Sequence, residues 1–217
     1  MFNIELFSGQ SKFKFISSIL GIETITLDNN KKFNADIKKD ILDVSAHDFA
    51  AHPFIIYAAP PCTAFSKAGY QYHWKGKGNT RSLNENSKKY LLYYQKTISL
   101  INELNPQYFY IENPEGLIHL LIETKNLQFF SNIFIDKTSY CQYGFSYQKP
   151  TIIIHNNSYY HPKKCCKRKS ICHEYSPRTK NNGCTRIRSS TLRSLTPNNL
   201  IFEIILNSIY PGLTKNN

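Results

Sequence analysis

Phe54-Ile-Ile-Tyr-Ala-Ala-Pro-Pro-Cys-Thr-Ala-Phe-Ser66 decides how this chain is to be read. The apolar run from Phe54 to Ala59 has the length and composition of a short buried strand. Pro60 and Pro61 then fix φ and lack the amide hydrogen that a sheet ladder needs, so the strand ends and the chain turns. Cys62 is thereby set just past the C-terminal edge of a strand, where open α/β sheets place their ligands. A lone cysteine beside such a turn is ordinarily a small apolar side chain. Its neighbours along the chain decide whether it is more than that.

Upstream, Asn3 to Phe7 reads as a strand, Ser8-Gly9-Gln10-Ser11 as a turn, and Lys12 to Leu20 as a helix carrying Phe13, Phe15, Ile16, Ile19 and Leu20. Strand, glycine turn and helix form the first unit of a nucleotide-binding α/β fold. The glycine lets backbone approach a ligand closely, and the helix N-terminus favours polar or anionic groups. Glu23 to Leu27 reads as a second strand ending in Asp28. An acidic residue about 20 positions beyond the glycine turn is where such folds hydrogen-bond a ribose. Asp36-Ile37 follows, and then a polar, loop-like segment to Ala51.

Downstream, Lys67 to Ser87 is a polar loop holding Gly69, His73, Trp74, Lys75, Gly76, Lys77, Gly78 and Arg81. Lys88 to Leu104 has the apolar spacing of a helix, closed by Asn105-Pro106. Gln107 to Ile111 reads as a strand with Glu112-Asn113-Pro114 at its end, and Glu115 to Lys125 as a short helix. Phe134–Tyr140 and Thr151–His155 read as two more strands, joined by a tight connection over Gln142–Pro150. That connection is too short for a crossover helix, so one edge strand is expected to be antiparallel. Alternation of strands and helices over residues 1–130 argues for a doubly wound, mostly parallel sheet. A last helix is expected from Pro197 to Ile209.

With 217 residues the chain is one domain with at most a small appendage, and its 27 basic against 15 acidic residues leave a net charge of +12. That excess suits a polyanionic partner such as nucleic acid. No stretch approaches the roughly 18 apolar residues of a membrane span, and no signal-peptide pattern opens the chain, so a soluble, intracellular protein is expected. The six cysteines are too few for a disulfide scaffold and read as reduced thiols. From His161 the composition shifts to thiols, imidazoles and positive charge. Cys165 or Cys166, Cys172, His173 and Cys184 offer four soft ligands for zinc, but without paired Cys-x-x-Cys knuckles. Reduced thiols in a basic, nucleic-acid-binding lobe are the alternative reading, and both stand. Lys163, Lys164, Lys167, Arg168, Lys169, Arg186, Arg188 and Arg193 make this lobe the natural phosphate-contacting surface.

These stretches, in order, resemble the C5-cytosine-specific DNA methyltransferase family. Glu5-Leu-Phe-Ser-Gly9 is similar to the family's Asp-Leu-Phe-Ser-Gly opening, and Pro60-Pro-Cys-Thr-Ala-Phe-Ser66 with Ala68-Gly69 to its Pro-Pro-Cys-Gln-x-Phe-Ser-x-Ala-Gly element. Arg81-Ser-Leu83 resembles its catalytic-loop Arg-Gly-Leu, Asn105-Pro106 with Phe109 to Asn113 its Pro-to-Glu-Asn-Val strand, and Tyr143-Gly144 the start of the next motif. The match covers roughly residues 1–155, and ordered motifs are more specific together than singly. It implies a Rossmann-like, S-adenosylmethionine-dependent fold over residues 1–157, a small basic Cys/His-containing lobe over 158–196, and a C-terminal helix over 197–217 packed back on the catalytic part.

The resemblance also implies site roles. Phe7, Ser8, Gly9 and Pro60 would contact S-adenosylmethionine, with Asp28 on the ribose and Asp36 and Ile37 at the adenine. Cys62 would attack C6 of a cytosine flipped out of double-stranded DNA while Glu112 binds N3. Asn113 would brace Glu112 and the Cys62 loop, Arg81 would contact the base or its phosphate, and Ser66 and Lys149 would lie at the substrate. The chain also departs from the pattern. Ser11 replaces a glycine, Pro114 a valine, and Tyr147, Lys149 and Thr151 stand where Gln-x-Arg-x-Arg is expected. No terminal Gly-Asn-Ser-Val element is visible, so the chain resembles a minimal member of the sort that a virus or phage carries. Cytosine-C5 chemistry on RNA and an inactive nucleic-acid-binding scaffold remain the other readings. An adenine-N6 enzyme is disfavoured, because its Pro-Pro-Tyr or Pro-Pro-Trp is Pro-Pro-Cys62 here.

Overall fold

The strands in chain order are β1 (Phe2–Leu6), β2 (Glu23–Leu27), β3 (Ile55–Ala58), β4 (Trp74–Lys75), β5 (Ser82–Leu83), β6 (Tyr108–Pro114), β7 (Phe134–Ser139) and β8 (Pro150–His155). The helices are α1 (Lys12–Ile19), α2 (Tyr70–His73), α3 (Lys88–Leu104) and α4 (Asn198–Ile209), with short 3-10 turns at Ile41–Asp43, Ala46–Asp48, Glu85–Ser87 and Tyr140–Tyr143. This computed structural model describes residues 1–49, 52–66, 69–76, 82–118, 128–129, 132–167, 170–173 and 194–212. Arg81, Cys184 and most of the helix expected over Glu115 to Lys125 lie outside the described residues.

Six strands form one sheet in the order β2-β1-β3-β6-β8-β7, and β4 with β5 makes a separate two-stranded ribbon. Pairing is parallel from β2 through β1 and β3 to β6, then antiparallel from β6 to β8 and from β8 to β7. The mostly parallel, doubly wound sheet is therefore present, with one topological difference from expectation. The antiparallel strand is not at the edge: β8 lies inside the sheet, and β7, which precedes it in the chain, forms the edge. β8 carries Ile152, Ile153 and Ile154, all buried, so it needs cover on both faces and takes the interior place.

The sheet is packed on both sides. On one face Ile4, Leu6, Ile56, Ala58, Phe109, Ile111, Ile152 and Ile154 meet Tyr94, Ile98 and Ile101 of α3. On the other, Ile55, Tyr57, Tyr110 and Ile153 meet Phe13 and Ile16 of α1 and Leu200, Ile201, Ile204 and Ile205 of α4. Period-two alternation along β6 thus sends Tyr110 to one layer and Phe109 and Ile111 to the other. Asn3, fully buried, fastens the first unit. Its Nδ2 donates to Ser17 Oγ of α1 at 3.2 Å and its Oδ1 accepts from the Ile55 amide of β3 at 3.2 Å. Among the described residues no helix is long and apolar enough to cross a membrane.

Because α4 packs against α1 and supplies four fully buried side chains to one face of the sheet, it is a component of the core. Ile204→Ala is expected to cost about 2–5 kcal/mol in urea denaturation. A cost near zero would show that α4 does not stabilise the sheet.

Candidate active site

The strand β3 stops at Ala58, and the following turn is held in three ways. Asn113 Nδ2 of β6 donates to the Pro60 carbonyl at 3.2 Å. The Phe65 and Ser66 amides both donate to the Cys62 carbonyl, at 3.0 and 2.8 Å, folding residues 62–66 into a tight turn. The Leu117 amide donates to the Phe65 carbonyl at 2.8 Å, and Ser66 bridges Gly116. Glycine is required at that crossing: a Cβ on Gly116 would lie 1.9 Å from the Phe65 oxygen. Phe65 anchors the turn from below, edge-on to Tyr94 of α3 at a centroid distance of 5.0 Å and to Trp74 at 6.5 Å. The Trp74 indole donates to the Ala64 carbonyl at 2.7 Å. Ser66 Oγ accepts from the Gly69 amide at 3.2 Å.

Glu112 lies one residue beyond the last parallel pair, Ala58 with Ile111, and β6 continues past it because β8 pairs with it as far as Pro114. Glu112 is 5% exposed, and its Oε1 accepts from the Tyr140 hydroxyl at 2.6 Å. Lys149 Nζ stands 3.8 Å from the same oxygen and 4.1 Å from the centroid of the Tyr140 ring. Tyr140 is fully buried, and burial, with the Glu112 charge second, pushes its hydroxyl well above the ordinary phenol range. Tyr94 is raised likewise by burial and then by the Cys62 and Glu112 charges, so one hydroxyl senses both groups. That hydroxyl is buried with no hydrogen-bond partner among the described residues.

A second cavity wall forms where β1 ends. Phe7 and Gly9 adopt positive φ (57° and 49°), turning the backbone so that Gly9 N donates to Asp28 Oδ2 at 2.8 Å. The Asp28 Oδ1 accepts from the Asn30 amide at 2.8 Å. Around this turn lies a cavity of about 210 Å³ lined by Glu5, Phe7, Ser8, Gly9, Asp28, Phe33, Tyr57 and Thr196, among others. Ser8 Oγ is buried there with no partner among the described residues. Thr196 connects this cavity to Glu112: its hydroxyl is 3.2 Å from Tyr57 and 3.5 Å from that of Tyr140.

Of the sequence-named residues, Phe7, Ser8, Gly9 and Asp28 line that cavity; Asp36, Ile37 and Pro60 do not. The Asp36 carboxylate is engaged by Lys14 Nζ at 2.7 Å and by the Thr26 amide and hydroxyl at 2.9 and 2.7 Å. Ile37 extends the edge of β2 through backbone bonds to Thr26 and Asp28. Cys62, Ser66, Glu112, Asn113 and Lys149 gather at the C-terminal edge of β3 and β6. Arg81 lies outside the described residues. Tyr94, Tyr140 and Thr196 were missed, since a buried tyrosine or threonine carries no spacing signal; only the placement of Tyr140 at a strand end hinted at it. Among the thiols, Cys165 is exposed, while Cys166, Cys172 and His173 meet Cys141, which the sequence pattern had not grouped with them.

The family model described as C-5 cytosine-specific DNA methylase matches residues 4–149. No curated protein matches the chain. Among solved structures, an E. coli prophage-encoded protein described as a candidate DNA modification methyltransferase aligns with a TM-score of 0.53 at 16% identity, covering 71% of this chain and 46% of its own. The S. pombe Dnmt2 methyltransferase aligns at 0.49 and 18% identity, covering 76% of this chain and 53% of its own. The chain thus spans about half the length of the structures it matches.

Glu5 gives a testable feature of the cavity wall. Its carboxylate accepts from the Phe13 and Lys14 amides at 3.1 and 2.9 Å, at the start of α1. Burial nevertheless raises its pKa from 4.5 to about 7, outweighing those bonds. The folded protein therefore holds this proton more tightly than the unfolded chain. The contribution is complete below pH 4.5 and is lost as pH rises through about 7. Glu5→Gln cannot titrate, so between pH 4.5 and about 8 it should gain roughly 3 kcal/mol relative to wild type in urea melts. A constant difference across that range would refute the shift.

Proposed function

This chain belongs to the C-5 cytosine-specific DNA methylase family. We propose that it is an S-adenosylmethionine-dependent methyltransferase acting on C5 of a cytosine flipped out of double-stranded DNA. The observation that supports this most is the convergence of Cys62 and Glu112 at the ends of adjacent parallel strands, with the buried Tyr94 hydroxyl under the charge of both.

The residues around the β1 turn fit the cofactor. Asp28 offers carboxylate oxygens for ribose hydroxyls, Phe33 an aromatic wall, Glu5 a carboxylate, and Ser8 a hydroxyl awaiting a partner. S-adenosylmethionine, when bound, supplies an electrophilic methyl group. Asp36 and Ile37 are kept as residues near the adenine only through their hold on the β2 end that carries Asp28.

In the reaction the Cys62 thiolate forms a bond to C6, and the electron pair of the 5,6 double bond moves into the ring toward N3. Glu112 meets that charge at N3 with a hydrogen bond or proton. C5, now nucleophilic, takes the methyl group; a base removes the C5 proton, the double bond re-forms, and Cys62 leaves. Tyr140 and Lys149 hold Glu112 in place, and the lysine supplies a positive charge beside it. Asn113 fixes the Cys62 turn to the strand bearing Glu112. Arg81 would contact the base or its phosphate on closure of the 67–87 loop. Residues 1–157 would form the catalytic part and 158–196 the reduced recognition lobe, with 197–217 returning to the core. The +12 net charge supports a nucleic-acid substrate.

The test is nucleoside mass spectrometry for 5-methylcytosine after incubation with S-adenosylmethionine and duplex DNA or RNA. Methyl product on DNA is expected, and Cys62→Ala should abolish it. Product on RNA alone would transfer the activity to that polymer, and product that survives in the variant would remove Cys62 as nucleophile. Tyr140→Phe, which deletes one bond to the Glu112 carboxylate, should lower kcat about 10- to 100-fold while the protein stays folded. An unchanged kcat would remove Tyr140 from the site.

A further inference from the structure

Four soft donor atoms meet beyond the end of β7, away from the cavity at β1. They are Cys141 Sγ, Cys166 Sγ, Cys172 Sγ and His173 Nδ1, all within 4.8 Å of one another. Cys141 Sγ is 3.2 Å from Cys166 Sγ and 3.7 Å from Cys172 Sγ. His173 Nδ1 is 3.6 Å from the Cys166 sulfur and 3.4 Å from that of Cys172. A tetrahedral zinc, with Zn–S near ~2.3 Å and Zn–N near ~2.05 Å, sets its ligand atoms roughly 3.8 Å apart for sulfur pairs and roughly 3.6 Å for sulfur and nitrogen. The observed edges cluster about those values. They are far too long for a disulfide, whose sulfurs stand about 2.05 Å apart.

The surroundings of the sulfurs also suit thiolates. Gln148 Nε2 points at Cys166 Sγ from 3.4 Å and Gln142 Nε2 at Cys172 Sγ from 3.3 Å, while Ser139 Oγ lies 3.3 Å from Cys141 Sγ. Donors of this kind orient metal-bound thiolates and spread their charge. Three thiolates with one dication leave a single net negative charge, and Lys163, Lys164 and Lys167 flank the cluster in the chain. Thiolate and imidazole ligands favour zinc over the oxygen-seeking cations.

We propose that Cys141, Cys166, Cys172 and His173 bind one structural Zn²⁺ in a closed, four-ligand site. The ion ties the described segments 161–167 and 170–173 to the Tyr140–Tyr143 turn. The first of these segments is already held by Thr138 Oγ1, which donates to the Lys163 carbonyl at 2.7 Å, and by the Tyr143 hydroxyl, which accepts from the Lys163 amide at 2.9 Å. Since the turn begins with Tyr140, the metal also steadies the donor that holds Glu112. The assignment does not depend on which nucleic acid is methylated, or on whether any is.

The test is elemental analysis of the full chain purified under reducing conditions, with Cys166→Ser, Cys172→Ser and Cys165→Ser beside it. One zinc per chain is expected in the wild type. The first two variants should lose it, and Cys165→Ser should keep it, because that thiol is exposed and is not one of the four clustered donors. Should the first two fail to fold, cobalt substitution of the wild type decides. Strong visible bands of tetrahedral cobalt with thiolate charge transfer support the site, and a weak octahedral spectrum overturns it. Zinc retained in folded Cys166→Ser or Cys172→Ser overturns it as well. So does a wild-type chain that stays metal-free after zinc reconstitution, or a disulfide found between two of these cysteines.

Discussion

Strand β6 outlasts one of its two neighbours, and the rest of the site depends on that difference. On one side it pairs in parallel with β3 up to Ile111, where β3 ends at Ala58, and on the other it pairs antiparallel with β8 from Tyr110 onward. Beyond that point only the antiparallel β8 continues to satisfy its backbone, as far as Pro114. The loss of β3 opens space at the sheet edge, while the persistence of β8 keeps Glu112 and Asn113 on rigid backbone instead of in a loop. Asn113 then reaches across the opening to the Pro60 carbonyl, tying the turn that bears Cys62 to the strand that bears Glu112. Two groups set on separate mobile loops would have to be ordered before they could act together.

Electrostatically the site is a polar pocket in a low-dielectric setting. Tyr57, Tyr94 and Tyr140 are each fully buried and their hydroxyls are all driven well above the usual range by burial, so they remain proton donors near neutral pH. The Tyr140 hydroxyl satisfies Glu112, and Thr196 lies within reach of both Tyr57 and Tyr140. A buried carboxylate without such partners would be strongly disfavoured. Lys149 completes the group as its one nearby cation among the described ion pairs, lying over the Tyr140 ring as well.

Much of this was legible because local chemistry left little choice. Two prolines had to end a strand, Asn105-Pro106 had to end a helix, and α3 spans Lys88–Leu104 as its apolar spacing indicates. The Phe7-Ser8-Gly9 turn and Asp28 came out together because a glycine turn and an acidic strand end are separable from their surroundings. What stayed hidden depends on pairing between distant segments. The run Ile152 to Ile154 calls for cover on both faces of β8, but which strands supply it depends on pairing across the sheet. Asp36 looked available until Lys14 and Thr26 were seen to engage it. Cys141 stands 25 residues ahead of Cys166, so no spacing rule joins them. Pro114, read from the sequence as standing at the strand's end, closes β6 at the end of its ladder, where a missing amide hydrogen is tolerated.

The order β6-β8-β7 also constrains how the chain assembles. Among the described strands β7 bonds only to β8, so it has no place in the sheet until its successor has been made. The two consecutive antiparallel strands form a hairpin, a unit of local contacts that closes early and cheaply in chain entropy. Tyr140 and Lys149, which flank the connection between its two arms, are both brought to Glu112 by that hairpin. The two groups that accompany the Glu112 carboxylate are thus both carried by one local unit of the chain.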